Sequence, residues 1–239
     1  MGAANDYLEY LIGKIGDAAE TESENIDKAA GLIVESFLSG GTVFTFGTGH
    51  SHLVAEELYI RAGGLAFIKA ILPDEVMLHG PIGKSTLIER LEGYAAVLLE
   101  IHRVRKGDTI IIISNSGRNS VPVEMAMGAR AIGANVIAIT SLRHSKRVES
   151  RDKSGKRLFE VSDVTLDNQA EYGDAGFYVE GCETPTGPVS DAIGIALAQA
   201  MVASVVEKLT QKGVEAPVLR SGNSDNYESH NEQFAKYFM

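Results

Sequence analysis

Residues 109–120 read Thr-Ile-Ile-Ile-Ile-Ser-Asn-Ser-Gly-Arg-Asn-Ser, and this stretch decides the fold class. Five β-branched residues in succession, with no polar alternation, suit a strand buried on both faces. The run stops at a cluster of hydroxyl and amide side chains around Gly117. Ser120 followed by Pro122 then resembles a helix start. Working outward, Thr42–Phe46 is a second apolar strand, followed by Gly47-Thr48-Gly49-His50-Ser51 and helical spacing over 51–62. Ala66–Leu72, Asn135–Thr140 and Val164–Leu166 add three more strands. Helical patterns fill 5–19, 24–38, 86–103 and 120–132, and a last one runs from about 188 to 211. Thr21 with Glu24, and Thr86 with Glu89, have the spacing of capping boxes. Strands separated by helices predict an α/β chain with a parallel sheet covered on both faces. Residues 145–157 read as a charged, mobile loop. No repeat or linker divides the chain, so we read one domain over 1–239. It comprises a helical segment over about 1–40, a sheet core over about 41–211 and a polar tail over about 212–239.

Composition narrows the function. The chain has 22 Lys+Arg against 32 Asp+Glu, a net charge of −10, which argues against a nucleic-acid partner because phosphate backbones require clustered cations. Cys182 is the single cysteine, so no internal disulfide forms. The N-terminus lacks a basic region and a long apolar run, and Ile193–Val206 is too short to span a bilayer. A soluble cytoplasmic protein with no membrane partner is the expectation.

In a parallel sheet the ligand sits beyond the carboxyl ends of the strands. Both polar loops lie there. Gly47 and Gly49 let the backbone approach a ligand, and Ser51 stands where the helix begins. The third glycine of a dinucleotide loop is replaced by His52, which excludes NAD. Gly83-Lys84-Ser85 likewise fails as a nucleotide loop, since Leu78 stands where its first glycine belongs. In the second loop, Ser114, Ser116, Gly117, Asn119 and Ser120 form an uncharged oxyanion cradle at a helix N-terminus. Two such loops at successive sheet positions predict a bound phosphate.

These loops, with the strand–helix order around them, resemble the SIS (sugar isomerase) family of phosphosugar-binding domains over residues 25–211. Within the family the chain is most similar to a bacterial branch labelled as phosphoheptose-isomerase-like. The resemblance implies an αβα sandwich with a five-stranded parallel sheet, and a homodimer or homotetramer with its site near a subunit interface. It also implies phosphate held by Ser51, Ser114 and Ser116. Asn119 departs from the family pattern, which often has Ser or Thr there; either its amide or the Ser120 hydroxyl can supply the missing donor.

Isomerising an aldose and a ketose phosphate moves a proton between adjacent carbons through an enediol, so a carboxylate base is required. Glu56 and Glu57 follow the first loop among apolar neighbours that would raise their pKa, and one of them is the expected base. The alternative is a structural ion pair of Glu57 with Arg61 at i,i+4. His79-Gly80-Pro81 is similar to a segment of the isomerase half of glucosamine-6-phosphate synthase whose histidine assists ring opening, which makes His79 a candidate. Glu92 resembles an acid–base glutamate of N-acetylmuramic acid 6-phosphate etherase but reads as a surface residue. His52 and Glu56 share the i,i+4 spacing of metal ligands, yet the final helix has no histidine to complete a site; His230 in the tail could reach one only from a neighbouring subunit. No metal and no cofactor is expected. The predicted activity is a cofactor-free sugar-phosphate isomerase of the phosphoheptose or amino-sugar class. The alternatives are a sugar-phosphate etherase or lyase, or a non-catalytic phosphosugar sensor.

Overall fold

The isoleucine run becomes β3 (Thr109–Ile113), the central strand of a five-stranded sheet, with every residue buried. Period-two geometry divides its side chains between two apolar layers. Ile110 and Ile112 pack with Phe44, Phe46 and Val136. Ile111 and Ile113 pack on the opposite face with Val43, Ile137 and Ile139. The protein is described by a computed structural model covering residues 2–238. The sheet comprises β1 (Val43–Gly47), β2 (Ile68–Ile71), β3, β4 (Asn135–Thr140) and β5 (Val164–Asp167) in the order β2-β1-β3-β4-β5. All four pairings are parallel, with Gly47 opposite Ile113 and Ile113 opposite Ile139. The carboxyl ends of the three inner strands therefore finish level, at one edge of the sheet.

One face is covered by α1 (Ala3–Thr21), α2 (Ser23–Leu38), α3 (Ser51–Glu57) and the long α8 (Ser190–Gln211). The other is covered by α5 (Tyr94–Ile101) and α6 (Ser120–Ile132). By length and composition α8 is apolar enough to cross a membrane. Instead, Ile193, Leu197, Met201 and Val205 are buried against the sheet and its neighbouring helices.

Local structure departs from the periodicity in several places. The helix predicted over 51–62 stops at Glu57. The helix predicted over 86–103 is two pieces, α4 (Lys84–Ile88) and α5, because Gly93 at φ 81° turns the chain between them. Neither capping box forms. Thr86 lies inside α4, whose N-cap is Gly83, and the Thr21 hydroxyl donates back to the Asp17 carbonyl at 3.0 Å. Residues 145–157 are not a free loop. The Arg151 N–H donates to the Arg118 carbonyl and the Leu158 N–H to the Gly117 carbonyl, each at 2.8 Å, which fastens the segment to the second polar loop. Between β5 and α8 the chain also forms a small antiparallel hairpin, β6 (Ala175–Phe177) with β7 (Thr186–Pro188). The tail lies along residues 64–66, where the Ala66 N–H donates to Pro217 and the Leu219 N–H to Gly64, both at 2.9 Å. Phe234 and Leu219 are buried there against Ala66.

Candidate functional site

β1 has β2 on one side and β3 on the other, so the direction of winding reverses between β1 and β3. The loops leaving these two strands diverge over the sheet edge and leave a crevice between them. A cavity of about 390 Å³ occupies it, a size suited to a small ligand. Its walls come from both loops (Thr48, Gly49, His50 and Ser51; Ser114, Asn115, Ser116 and Asn119), from Ser85, Thr86 and Glu89, and from His144 and Asp174.

Gly47 and Gly117 shape the loops without lining the cavity. A Cβ on Gly47 would stand 2.3 Å from the Ser51 carbonyl oxygen, so only glycine lets α3 begin this close to β1. Gly117 sits at φ 57° with Thr140, Ser145 and Leu158 side-chain atoms packed where its Cβ would be. Ser114 accepts the Gly117 N–H at 3.2 Å, closing the second loop on itself. Ser51, Ser114 and Ser116 thus face one cavity. Ser120 does not: it is buried, with its hydroxyl donating to the Arg151 carbonyl at 3.4 Å.

The carboxylates predicted as bases lie elsewhere. Glu57 contacts the Arg61 guanidinium and accepts from the Gln199 amide at 3.4 Å, outside the cavity. The ion-pair alternative is the arrangement adopted, because α3 ends at Glu57 and turns Arg61 back onto it. Glu56 is exposed, with its carboxylate 4.0 Å from His52 Nε2, while His52 Nδ1 meets the Gly49 carbonyl. His79 is exposed and packs its ring edge-on against His52, with centroids 5.9 Å apart. It borders the region without lining the cavity. Glu92 pairs with Lys153 at 3.2 Å on the surface. His230 holds the tail through Val218, with Nε2 2.9 Å from its carbonyl oxygen. Among the described residues no cluster of three or more His, Cys, Asp or Glu side chains is arranged to hold a metal ion.

Two groups absent from the sequence-based list occupy the cavity. Glu89 follows α4 and turns inward; its Oε2 accepts from the Thr48 hydroxyl at 2.8 Å. Burial pushes its carboxyl above the usual carboxylate range. Hydrogen bonds from Thr48 and Asn119, and the charges of Arg90 and Arg151, offset part of that rise. His144 follows β4 on the short helix α7 (Leu142–Ser145), whose first residues are capped by the Ser141 hydroxyl. The Gly173 N–H donates to His144 Nδ1 at 3.1 Å, which places the ring hydrogen on Nε2. Burial, then the charge of Arg118, lower its pKa against a smaller opposing influence of Asp174, and so favour the neutral ring. Asp174, at φ 72°, completes this wall; its carboxylate accepts from the Ser190 N–H at 3.0 Å and the Ser190 hydroxyl at 2.7 Å, capping α8.

The family model described as the SIS domain matches residues 6–141. The chain belongs to the SIS-domain family. Over its whole length this SIS protein is similar to the UPF0309 protein of Halalkalibacterium halodurans, 49% identical over 234 residues that cover 98% of this chain and 97% of the relative. Among solved structures it shares the fold of phosphoheptose isomerase GmhA from Neisseria gonorrhoeae. That match has a TM-score of 0.58 and 19% identity, and covers 85% of this chain and 97% of the other. It also shares the fold of the Vibrio vulnificus NanR protein complexed with ManNAc-6P, with a TM-score of 0.55 and 15% identity over 98% of this chain and 67% of that one. At these identities the structural likeness speaks for the fold, an αβα sandwich around a five-stranded parallel sheet.

Within the SIS fold, Glu89 was the harder residue to find. Its spacing from Thr86 matches a capping box, a pattern that assigns the carboxylate a backbone job. The overlooked signal was the glycine pair Gly83 and Gly93, which brackets a segment too short for a continuous helix. For His144 the signal was topological: β4 ends at the same edge as β1 and β3, so the residues after it face the same crevice.

Proposed function

We propose that the chain binds a sugar phosphate and isomerises it between aldose and ketose forms without a cofactor, with Glu89 as the base. The observation that carries this reading is a desolvated glutamate held by neutral donors in the cavity that the two hydroxyl loops share. The hydroxyls of Ser51, Ser114 and Ser116, with the α6 N-terminus behind them, suit a phosphate. The names of the fold's neighbours support the ligand class: one is a phosphoheptose isomerase, and another is complexed with ManNAc-6P. With the phosphate in that cradle, Glu89 takes the proton from the carbon next to the carbonyl, and His144 Nε2–H hydrogen-bonds the carbonyl oxygen as it gains charge. The resulting enediolate passes its hydroxyl proton from one oxygen to the other, and Glu89 returns the carbon proton to the adjacent carbon, which completes the exchange of carbonyl and hydroxyl.

Self-association belongs to the same proposal, but not through the apolar stripe of α8, which its own chain buries. Leu87, Leu91, Val97 and Ile101 stand exposed on and around α4 and α5 and offer a second copy an apolar face. Deuterium exchange tests the activity. A panel of hexose, heptose and amino-sugar phosphates is first ranked by the rise each gives in melting temperature, since a ligand of the folded state stabilises it by mass action. The strongest binder, incubated with the protein in heavy water, should gain deuterium at the carbon next to its carbonyl. Tight binding across the panel with no exchange in any member would replace the isomerase with the sensor.

A further inference from the structure

We infer that Asn119 and Arg151 are a positioning pair that aims and tunes the Glu89 carboxylate and does not bind the phosphate; this rests on Glu89 being the proton-transfer group proposed above. Asn119 occupies the N-cap position of α6 with extended backbone (φ −82°, ψ 157°). An asparagine there ordinarily turns its side-chain oxygen onto an N–H of the first helical turn. Asn119 makes no such bond. Its Oδ1 instead accepts from Arg151 Nη1 at 3.1 Å. That leaves the Nδ2 hydrogens for the Glu89 carboxylate, which lines the same cavity and whose rise in pKa Asn119 opposes. The orientation is fixed chemically. Flipping the amide would set the NH2 against a guanidinium, losing that bond and adding a repulsive contact.

The vacated capping position is served by Glu89 itself, whose carbonyl accepts the Val121 N–H at 3.0 Å. Glu89 is therefore docked to α6 through its backbone, beside the residue that precedes the helix. Arg151 is anchored in turn: its N–H donates to Arg118, and its carbonyl accepts from Ser120. In this pair the segment 146–157 would reach the candidate base through the Asn119 amide. The charged groups acting on Glu89 are Arg90 and Arg151, and its neutral donors are Thr48 and Asn119. A guanidinium acting through an oriented amide differs from one acting through space, and the two can be separated.

The test is direct titration of Glu89 in protein carrying 13C-labelled glutamate, with its carboxyl resonance assigned by its loss in Glu89→Gln. Arg151→Met and Asn119→Ala should each raise the apparent pKa. In the double variant, Arg151→Met should add much less than it does alone, because its route has been removed. Where Asn119→Ala does not fold, Asn119→Leu fills the space without the amide and serves the same cycle. An equal shift from Arg151→Met in both backgrounds would mean that the guanidinium acts by charge alone, and no shift in either would mean that it does not act; both outcomes overturn the pair. Affinity for inorganic phosphate should be unchanged in Arg151→Met. A loss of about tenfold, the weight of one hydrogen bond to a charged group, would make Arg151 a phosphate ligand and overturn the assignment. The titration needs no turnover. Absence of carbon-proton exchange in the wild type would therefore refute the isomerase while leaving this result readable on its own.

Discussion

Glu57 and Glu89 hold matching places in the fold and have opposite surroundings. Glu57 ends α3 and Glu89 follows α4, and both helices are short. Glu57 meets the Arg61 guanidinium through Oε1, which also accepts from Gln199. Glu89 meets the Thr48 hydroxyl inside a cavity that Asn119 also lines, and among the described residues no cation is in ion-pair contact with it. A carboxylate answered by a cation is a structural group whose appetite for protons is already satisfied. One that is desolvated, yet aimed by neutral donors, keeps its basicity and its direction together. Sequence position alone does not separate the two.

The largest expected effect breaks that comparison directly. Glu89→Gln keeps size and most hydrogen bonding while removing basicity, so exchange should fall by roughly 10²–10⁴-fold with phosphosugar binding retained. Glu57→Gln should leave exchange close to wild type. Single-turnover exchange rates for both variants decide the matter. If Glu57→Gln carries the loss and Glu89→Gln does not, the roles assigned here are reversed.

A smaller effect sharpens it. Thr48→Val preserves shape and deletes a donor that favours the ionised form of Glu89. The carboxyl should then titrate higher than in the wild type, and the rising limb of the rate against pH should move toward alkaline values. Below that limb the variant should be slower by about tenfold, a charge-assisted hydrogen bond being worth roughly 1.5–3 kcal/mol. At pH well above the limb its rate should approach wild type. A uniform loss at every pH would instead mean that Thr48 positions substrate rather than the base.

The same contrast explains what the sequence discloses. β1, β3 and β4 are legible because a strand buried on both faces must be apolar throughout, as Ile110–Ile113 and Val136–Ile139 are. The polar loops are legible because Gly47 and Gly117 answer steric demands that other residues meet poorly. β6 and β7 are not: each has three residues, mostly half-exposed or exposed, and Thr186-Gly187-Pro188 carries two residues disfavoured in strands. Glu89 is not legible, because its place in the cavity depends on a break at Gly93 and on Thr48, 41 residues away in sequence. Local spacing cannot report a partner brought in by the sheet. At Glu57 the apolar neighbours on the helix suggest desolvation, while the i,i+4 arginine suggests the ion pair that the structure shows.

The smallest effect extends the comparison to a third carboxylate and is read in stability. Asp191 lies in the first turn of α8, where free N–H groups ordinarily favour a negative charge. Here the neighbouring Asp174 already accepts the Val189 and Ser190 N–H groups. Burial, then the charge of Asp174, push the Asp191 carboxyl up to about 6 from an ordinary 3.8, against a smaller opposing influence of His50 and His52. The folded protein therefore holds a proton that the unfolded chain releases between those two values. Bound protons are fewer in the unfolded state over that window, so stability falls as pH rises through it. Asp191→Asn cannot ionise and should lack this part of the slope, so that its unfolding midpoint in urea gains on wild type between about pH 4 and about pH 7. Because the side chain is partly solvated, the difference should be modest, and smaller than either effect at Glu89. Parallel curves for variant and wild type would show that Asp191 is solvated like an ordinary surface carboxylate, and that burial near Asp174 does not by itself make a proton-holding group.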